Sequence, residues 1–172
     1  IRRFSSPSLE IAKNTKLLAT TVSKNTALHA AIQNGHHELL AMLLKVVVSL
    51  PVETNLSIIL DRKTFNQGTP IDIAIFKQQP KCLRVLLEFL ESNDLLKTLM
   101  TDEGEQILRD AVVSEDIEVL KVLLQFGFHR GIEKAISIAS ARQSRGILRL
   151  LLHYYTLLTQ INAMKTYMYV MF

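Results

Sequence analysis

The 172-residue chain contains no tryptophan, few glycines and prolines, and a single cysteine, Cys82. One cysteine excludes an internal disulfide bond, which fits a reducing compartment. Six glycines and four prolines leave few helix breakers, while leucine, isoleucine and alanine are abundant, so the composition favours helix. Hydrophobic residues make up 48% of the chain, enough for the core of one ordinary domain.

Targeting signals are also missing from the sequence. No apolar run approaches the length of a membrane span, and there is no signal peptide. The chain begins at Ile1 and not at methionine, so we expect it to be one region of a longer intracellular protein, of the cytoplasm or the nucleus.

The charges form alternating patches, although the net charge is only +4. Residues 1–50 hold six Lys or Arg against two acids, residues 102–118 hold seven acids against one arginine, and residues 121–149 hold six bases against one acid. Proteins that bind nucleic acids usually carry a continuous basic stripe. The pattern therefore argues against that class.

The strongest pattern in the chain is an internal repeat. Four windows of equal length align: TALHAAIQNGHHELLAMLL (26–44), TPIDIAIFKQQPKCLRVLL (69–87), QILRDAVVSEDIEVLKVLL (106–124) and KAISIASARQSRGILRLLL (134–152). Each ends in a Leu–Leu pair and has alanine at its sixth place: Ala31, Ala74, Ala111 and Ala139. Each also breaks near its middle, where Gly35 can end a helix and Pro80 can begin one. We therefore predict a pair of short antiparallel helices per window, stacked on its neighbours.

These windows resemble ankyrin repeats, whose signature is T-P-L-H-x-A followed by a turn and a second helix. TALHAA (26–31) and TPIDIA (69–74) match it well, and NGHHELL (34–40) matches the N-G-H-x-E stretch, while the last two windows keep only the apolar skeleton. The resemblance covers about residues 25–152. It implies an all-α fold, an ankyrin-repeat solenoid of stacked antiparallel helix pairs.

The inserts between the repeats are irregular. The sixth-place alanines are 43, 37 and 28 residues apart, whereas ankyrin repeats recur about every 33 residues. Residues 45–65 are predicted to lengthen the second helix and to turn at Pro51. Residues 88–105 are predicted to form a longer helix, a break at Ser92–Asn93, another helical turn and an acidic loop ending at Gly104.

Outside the repeats we expect a flexible basic leader (1–7), an N-terminal capping helix (8–24) and a C-terminal capping helix or degenerate repeat (153–172).

Three histidines, His29, His36 and His37, lie within nine positions and raise the question of a metal or catalytic site. The resemblance implies a structural role for His29, which would bond to neighbouring backbone and threonine groups and so tie adjacent turns together. Asp72 replaces it in the second window. Because no further ligand has suitable spacing, we expect no metal ion.

The sequence shows no catalytic constellation. Cys82 occupies an aliphatic place of a second helix, equivalent to Leu39 and Val119, so we expect a buried, inert thiol rather than a nucleophile. No glycine-rich loop for phosphate is present. We therefore predict a protein without enzymatic activity and without a cofactor.

The resemblance implies a protein–protein interaction module that binds through its hairpin tips and the concave surface of its first helices. Carried onto this chain, the candidate partner-binding residues are Gln33, Asn34, Phe65, Asn66, Phe76, Lys77, Asp102, Glu103, Val113, Ser114 and Arg142. Phe65 and Phe76 are the aromatic candidates, because aromatic side chains often anchor interfaces; either could instead pack under the first insert. The neighbouring acids predict a partner with an apolar anchor flanked by basic residues.

Two other functions remain open at this point. The chain could be the docking region of a larger multidomain enzyme or of a secreted bacterial effector, which would act in the host cell cytoplasm. It could also bind nucleic acid through one basic face, formed by Arg130, Lys134, Arg142, Arg145 and Arg149. Separately, RRFSSP (2–7) resembles a basophilic-kinase site with Ser5 as the phosphorylated residue.

Overall fold

A computed structural model describes residues 27–48 and 68–171, and every regular element within these ranges is an α-helix. In chain order they are α1 (Ala27–Gln33), α2 (His37–Val48), α3 (Pro70–Phe76), α4 (Pro80–Ser92), α5 (Leu96–Asp102), α6 (Gly104–Ser114), α7 (Ile117–Gln125), α8 (Ile132–Ala141) and α9 (Arg145–Met171). The chain divides into two compact units, Ile1–Asp94 and Leu95–Phe172, called the first and second unit below. The prediction of an all-α fold is confirmed for the described residues.

The turn inside each helix pair has the same backbone conformation in all four windows. The tenth place is left-handed each time, with φ of 70° at Gly35, 54° at Gln78, 58° at Glu115 and 57° at Gln143. A left-handed residue reverses the chain after the first helix of the pair. The predicted breaks are therefore confirmed, although only one of the four residues is a glycine.

The first unit is built on contacts between α1 and α3, which are first helices, and between α2 and α4, which are second helices. Ala31 and Ala74 are almost fully buried on the first helices, where a methyl side chain lets a neighbouring helix approach closely. Cys82 is fully buried on α4, and burial raises the pKa of its thiol. The prediction of a buried thiol at this place is confirmed.

Both helices of the second window begin with a proline in the first turn, Pro70 and Pro80, where the missing N–H costs little.

Thr69 and Asp72 form a capping box at the start of α3. The backbone N–H of Thr69 donates to Asp72 Oδ2 at 2.7 Å, and the backbone N–H of Asp72 donates to Thr69 Oγ1 at 3.2 Å. Asp72, which replaces the repeat histidine in this window, thus bonds to Thr69.

In the second unit, α6 packs against α5, α7 and α8, and α9 packs against α7 and α8. Asp116 caps α7 by accepting a hydrogen bond from the backbone N–H of Val119 at 2.8 Å. Ala111 and Ala139 are buried on the two first helices, as in the first unit. The last two windows therefore keep the repeat architecture despite their diverged signatures.

The second insert differs from its prediction at one point. The longer helix ends at Ser92, the break follows, and α5 supplies the additional helical turns. The predicted acidic loop ending at Gly104 is wrong, because Asp102 is the last residue of α5 and Gly104 the first of α6. Glu103 alone joins them, and its backbone N–H donates to the carbonyl oxygen of Leu99. The first insert lies mainly outside the described residues, as does the predicted N-terminal capping helix.

Helix α9 is 27 residues long and runs from the second helix of the fourth window into the predicted C-terminal cap without a break. Residues 153–171 are therefore the end of α9 and not a separate element. Within the described ranges, no helix combines the length and the apolarity that a membrane span requires.

Candidate partner-binding surface

In the first unit, the candidate residues lie where the two packed first helices end. Phe76 is the last residue of α3 and has 57% of its surface exposed, and Lys77 directly after it is also exposed. At the same place on α1 lie Gln33, half-buried, and Asn34, exposed. The structure thus brings these four candidate residues to one edge of the first unit.

The local fold explains why Phe76 points outward. Its neighbour Ile75 is fully buried, and successive residues on a helix point about 100° apart. The helix ends immediately afterwards, since the backbone N–H of Lys77 donates to the carbonyl oxygen of Ile73 at 2.8 Å and Gln78 is left-handed. The turn after α3 thus places Phe76 at this edge, where its side chain is exposed.

His29 is part of the fold and lies inside the first unit. It has 1% of its surface exposed, and its imidazole forms a hydrogen bond with the backbone of Gly68, the residue before Thr69. Burial lowers the pKa of His29, and the hydrogen bond with Gly68 only partly opposes this effect. The imidazole thus ties the first repeat to the start of the second through the backbone of Gly68, which is the backbone contact that the resemblance implied.

In the second unit, Val113 and Ser114 are the last two residues of α6. Val113 is 38% exposed, and the hydroxyl of Ser114 donates to the carbonyl oxygen of Ala111 at 2.8 Å. Arg142 follows α8 and reaches across to this end of α6. Its Nε lies 3.2 Å from Oε1 of Glu115, and its Nη2 lies 3.5 Å from the carbonyl oxygen of Val113. Arg142 is therefore both an exposed candidate residue and a contact between the ends of α6 and α8.

The predicted acidic tip is partly neutralised by bases of the same unit. Asp102 is exposed and Glu103 half-buried. Close to them, Glu105 forms a salt bridge of 2.7 Å with Lys134, and this contact, together with Arg130 and Arg109, lowers the pKa of Glu105. The acidic surface is consequently smaller than the sequence suggested.

The same contacts bear on the basic face considered for nucleic acid. Lys134 is paired with Glu105, Arg142 with Glu115, and Arg130 donates to the carbonyl oxygen of Thr101. Three of the five bases are thus already engaged by the chain itself, which leaves Arg145 and Arg149 on α9. This arrangement does not favour a phosphate-binding stripe.

Three candidate residues, Phe65, Asn66 and Ser5, lie outside the described residues. Across residues 27–48 and 68–171, no cluster of three histidine, cysteine or acidic side chains suits a metal ion. The sequence reasoning missed one surface feature, an exposed apolar row on α9. Its spacing is readable in the sequence, but the sequence analysis interprets the segment as a capping helix or a degenerate repeat.

The comparisons with known proteins agree with this geometry. A family model described as ankyrin repeats, in three copies, matches residues 8–96, more than half of the chain. The search of curated proteins finds no match. Ankyrin repeats are generally protein–protein interaction modules, and the family is typically non-enzymatic. The chain belongs to the ankyrin-repeat family.

Proposed function

We propose that this chain binds a partner protein through the edge where α1 and α3 end, with Phe76 as the anchor. The observation that carries the proposal is the exposure of Phe76, 57%, on a backbone that the following turn holds in place. A phenylalanine side chain has only two rotatable bonds, so it loses little conformational entropy when a partner covers it. Burying a phenylalanine contributes about 2 kcal/mol, and aromatic residues dominate the energetics of many interfaces.

The residues around Phe76 provide the polar rim that an interface needs. Lys77 supplies a positive charge and Asn34 an amide, although the Asn34 side chain also donates to the carbonyl oxygen of Ala30 at 2.8 Å. Apolar centres surrounded by polar groups are typical of specific protein interfaces. The partner should therefore present an apolar pocket lined by hydrogen-bond acceptors.

Asp102 and Glu103 of the second unit support a further element of the proposal. Lys134 already pairs with Glu105, whereas Asp102 is exposed and can be reached by a partner's bases. We expect the partner to present basic residues to this tip of the second unit. Replacing both acids with serine should lower the affinity and reduce its dependence on salt.

Photo-crosslinking tests the anchor directly. A photoreactive phenylalanine analogue replaces Phe76 in one protein and Glu91, an exposed residue near the end of α4, in a control protein. A partner captured from cells should crosslink at position 76 and not at position 91. Once the partner is purified, Phe76→Ala should weaken binding about tenfold or more, while Glu91→Ala should leave it unchanged. Equal crosslinking at both positions, or an unchanged affinity of Phe76→Ala, would show that this edge is not the binding site.

A further inference from the structure

The chain has one Asn–Gly pair, Asn34–Gly35, and it lies in the turn between α1 and α2. In such a pair the backbone nitrogen of the glycine can attack the side-chain carbonyl carbon of the asparagine and close a five-membered ring. Glycine favours this attack because it has no Cβ to crowd the approach of its nitrogen. The other three windows hold Lys77–Gln78, Ser114–Glu115 and Arg142–Gln143 at the same place, and these pairs lack the asparagine amide.

The fold does not require glycine at this place. Gly35 is left-handed with a φ of 70°, but Gln78 is also left-handed, with a φ of 54°. A Cβ on residue 35 would lie 2.7 Å from Oε1 of Gln79, which is the far end of a flexible side chain and can move away. The Asn–Gly pair therefore adds a chemical property that the geometry of the turn does not need.

The folded turn keeps the two reacting groups in hydrogen bonds with other partners. The side-chain nitrogen of Asn34 donates to the carbonyl oxygen of Ala30 at 2.8 Å. The backbone N–H of Gly35, whose nitrogen would attack, donates to the carbonyl oxygen of Ile32 at 3.0 Å. Ring closure requires both of these hydrogen bonds to break. The closed turn therefore protects Asn34.

Opening this turn uncovers little buried surface. Asn34 and His36 are exposed, and Gly35 is half-buried. A segment with few buried apolar contacts can open while the rest of its unit stays folded. The reactive pair can therefore meet water without global unfolding of the first unit.

We propose that Asn34 is a deamidation site, protected by the turn between α1 and α2 and modified when this turn opens. The nitrogen of Gly35 forms a bond to Cγ of Asn34, and the bond from Cγ to the amide nitrogen breaks. The proton of the Gly35 N–H passes through solvent to the leaving nitrogen, which departs as ammonia. The cyclic imide then takes up one water molecule and opens at either carbonyl. The products at position 34 are aspartate and isoaspartate.

Both products change the edge at which α1 ends. A carboxylate replaces the amide of Asn34, and isoaspartate also adds a methylene group to the backbone immediately before Gly35. The hydrogen bonds of the turn should then not all re-form. Asn34 and Lys77 lie at the edge proposed to bind a partner, so the modification should weaken that binding. Only this consequence rests on the proposed function.

Asn93, which follows α4, is the matched internal control. Its side-chain nitrogen donates to the carbonyl oxygen of Phe89 at 2.7 Å. The next residue, Asp94, is left-handed with a φ of 58°, and its N–H donates to the carbonyl oxygen of Glu91 at 3.2 Å. Asn93 thus has the hydrogen bonds and the left-handed neighbour of Asn34, but that neighbour carries a side chain. We expect Asn34 to react much faster than Asn93.

The whole chain is incubated at neutral pH in three states: folded, in guanidinium chloride below the unfolding transition, and fully denatured. Proteolysis and mass spectrometry then measure deamidation at Asn34 and Asn93. In the denatured chain, Asn34 should react at least about tenfold faster than Asn93. In the folded chain, Asn34 should react at least about tenfold more slowly than in the denatured chain, at a rate that low denaturant hardly changes.

Gly35→Gln supplies a second test, since Gln78 already occupies the equivalent left-handed place in the second window. This variant should lower the rate at Asn34 in the denatured chain to about that of Asn93, a comparison that does not require the variant to fold.

Three results would overturn the proposal. Asn34 could react no faster than Asn93 in the denatured chain, which would remove its special reactivity. Asn34 could react equally fast in the folded and denatured chains, which would remove the protection by the turn. In the folded chain Asn34 could also stay intact, or react only in step with the unfolded fraction, so that no local opening exposes it. None of these measurements needs a partner, so they are independent of the test of Phe76.

Discussion

The hydroxyl of Tyr154 lies 2.6 Å from the carbonyl oxygen of Leu124 and donates a hydrogen bond to it. Leu124 belongs to the last turn of α7, and its carbonyl oxygen also accepts a hydrogen bond from the backbone N–H of Gly127 at 3.0 Å. Burial raises the pKa of the Tyr154 hydroxyl, so the group keeps the proton that it donates. A side chain of α9 thus adds a second hydrogen bond at the end of α7.

Replacing Tyr154 with phenylalanine should destabilise the second unit by about 1 kcal/mol. The change removes the donor and leaves the carbonyl oxygen of Leu124 without this bond at a partly buried place. Urea denaturation followed by circular dichroism measures the free energy of unfolding. Because repeat proteins can unfold in steps, the transition should also be followed by a fluorophore attached to α9.

Tyr155→Phe is the matched control for this prediction. The hydroxyl of Tyr155 lies 3.1 Å from Oε1 of Glu133 at an exposed site, where water can replace the lost bond. We expect a smaller loss of stability than for Tyr154→Phe. Equal losses in the two variants would contradict a capping role for Tyr154.

The turns show what the aligned windows predicted and what they could not. Gly35 alone carries a local signal for a left-handed residue, yet Gln78, Glu115 and Gln143 adopt the same conformation. A left-handed residue other than glycine costs about 1 kcal/mol, which the packing of the flanking helices must offset. The place of each break followed from the alignment with Gly35, whereas the local sequence alone would not have revealed it.

Burial of equivalent residues was less predictable. Leu39 and Cys82 share one place in the aligned windows, but Leu39 is 46% exposed and Cys82 fully buried. Leu152 likewise belongs to the Leu–Leu pair that ends each window and is 44% exposed, while Leu151, the other residue of the pair, is fully buried. The repeat pattern fixes the face on which a side chain lies. Whether that face is covered depends on the neighbouring helix, which the pattern of one window does not contain.

Lowering the pH from about 7.5 to about 5.5 should destabilise the first unit through His29. Burial lowers the pKa of His29 in the folded chain below the ordinary value of 6.5, so the unfolded chain binds the proton first. Stability is therefore complete above the unfolded pKa and declines as the pH falls below it. Urea denaturation at a series of pH values should show this slope in the wild type.

Two variants separate His29 from the other titrating groups. His29→Gln should be less stable at neutral pH and should lose most of the slope in this range. His129→Gln replaces an exposed histidine and should keep the slope of the wild type. Glu105, whose pKa is lowered mainly by its hydrogen bond with Lys134, loses its contribution only below its ordinary value of 4.5 and does not interfere. An unchanged slope in His29→Gln would refute the assignment.

Two glycines of the second unit should respond in opposite ways to alanine. Gly131 has a φ of +77°, and a Cβ there would lie 2.6 Å from Cγ of Glu105, so Gly131→Ala should cost about 1–2 kcal/mol. At Gly104 the nearest side-chain atoms, on Met100 and Phe128, would be 3.8 Å from a new Cβ. Gly104→Ala should therefore stabilise by about 0.5–1 kcal/mol, since alanine favours helix.

Thermal unfolding of the two alanine variants measures the difference. The melting temperature should fall for Gly131→Ala and rise for Gly104→Ala relative to the wild type. In Gly131→Ala, the new methyl group should displace the side chain of Glu105 and so weaken its salt bridge with Lys134. A rise in melting temperature for both variants would mean that residue 131 does not need its left-handed conformation.

Substitutions of two adjacent residues at the end of α3, Ile75 and Phe76, should distinguish an effect on stability from an effect on partner binding. Ile75 is fully buried, so Ile75→Ala should cost about 2–5 kcal/mol. Phe76 is 57% exposed, so Phe76→Ala should change the free energy of unfolding by less than about 1 kcal/mol. Urea denaturation of both variants tests this, and the result decides how a binding defect is interpreted. If Phe76→Ala keeps the stability of the wild type and loses the partner, Phe76 acts at the interface. If it unfolds as readily as Ile75→Ala, the side chain belongs to the core, and the proposed anchor is wrong.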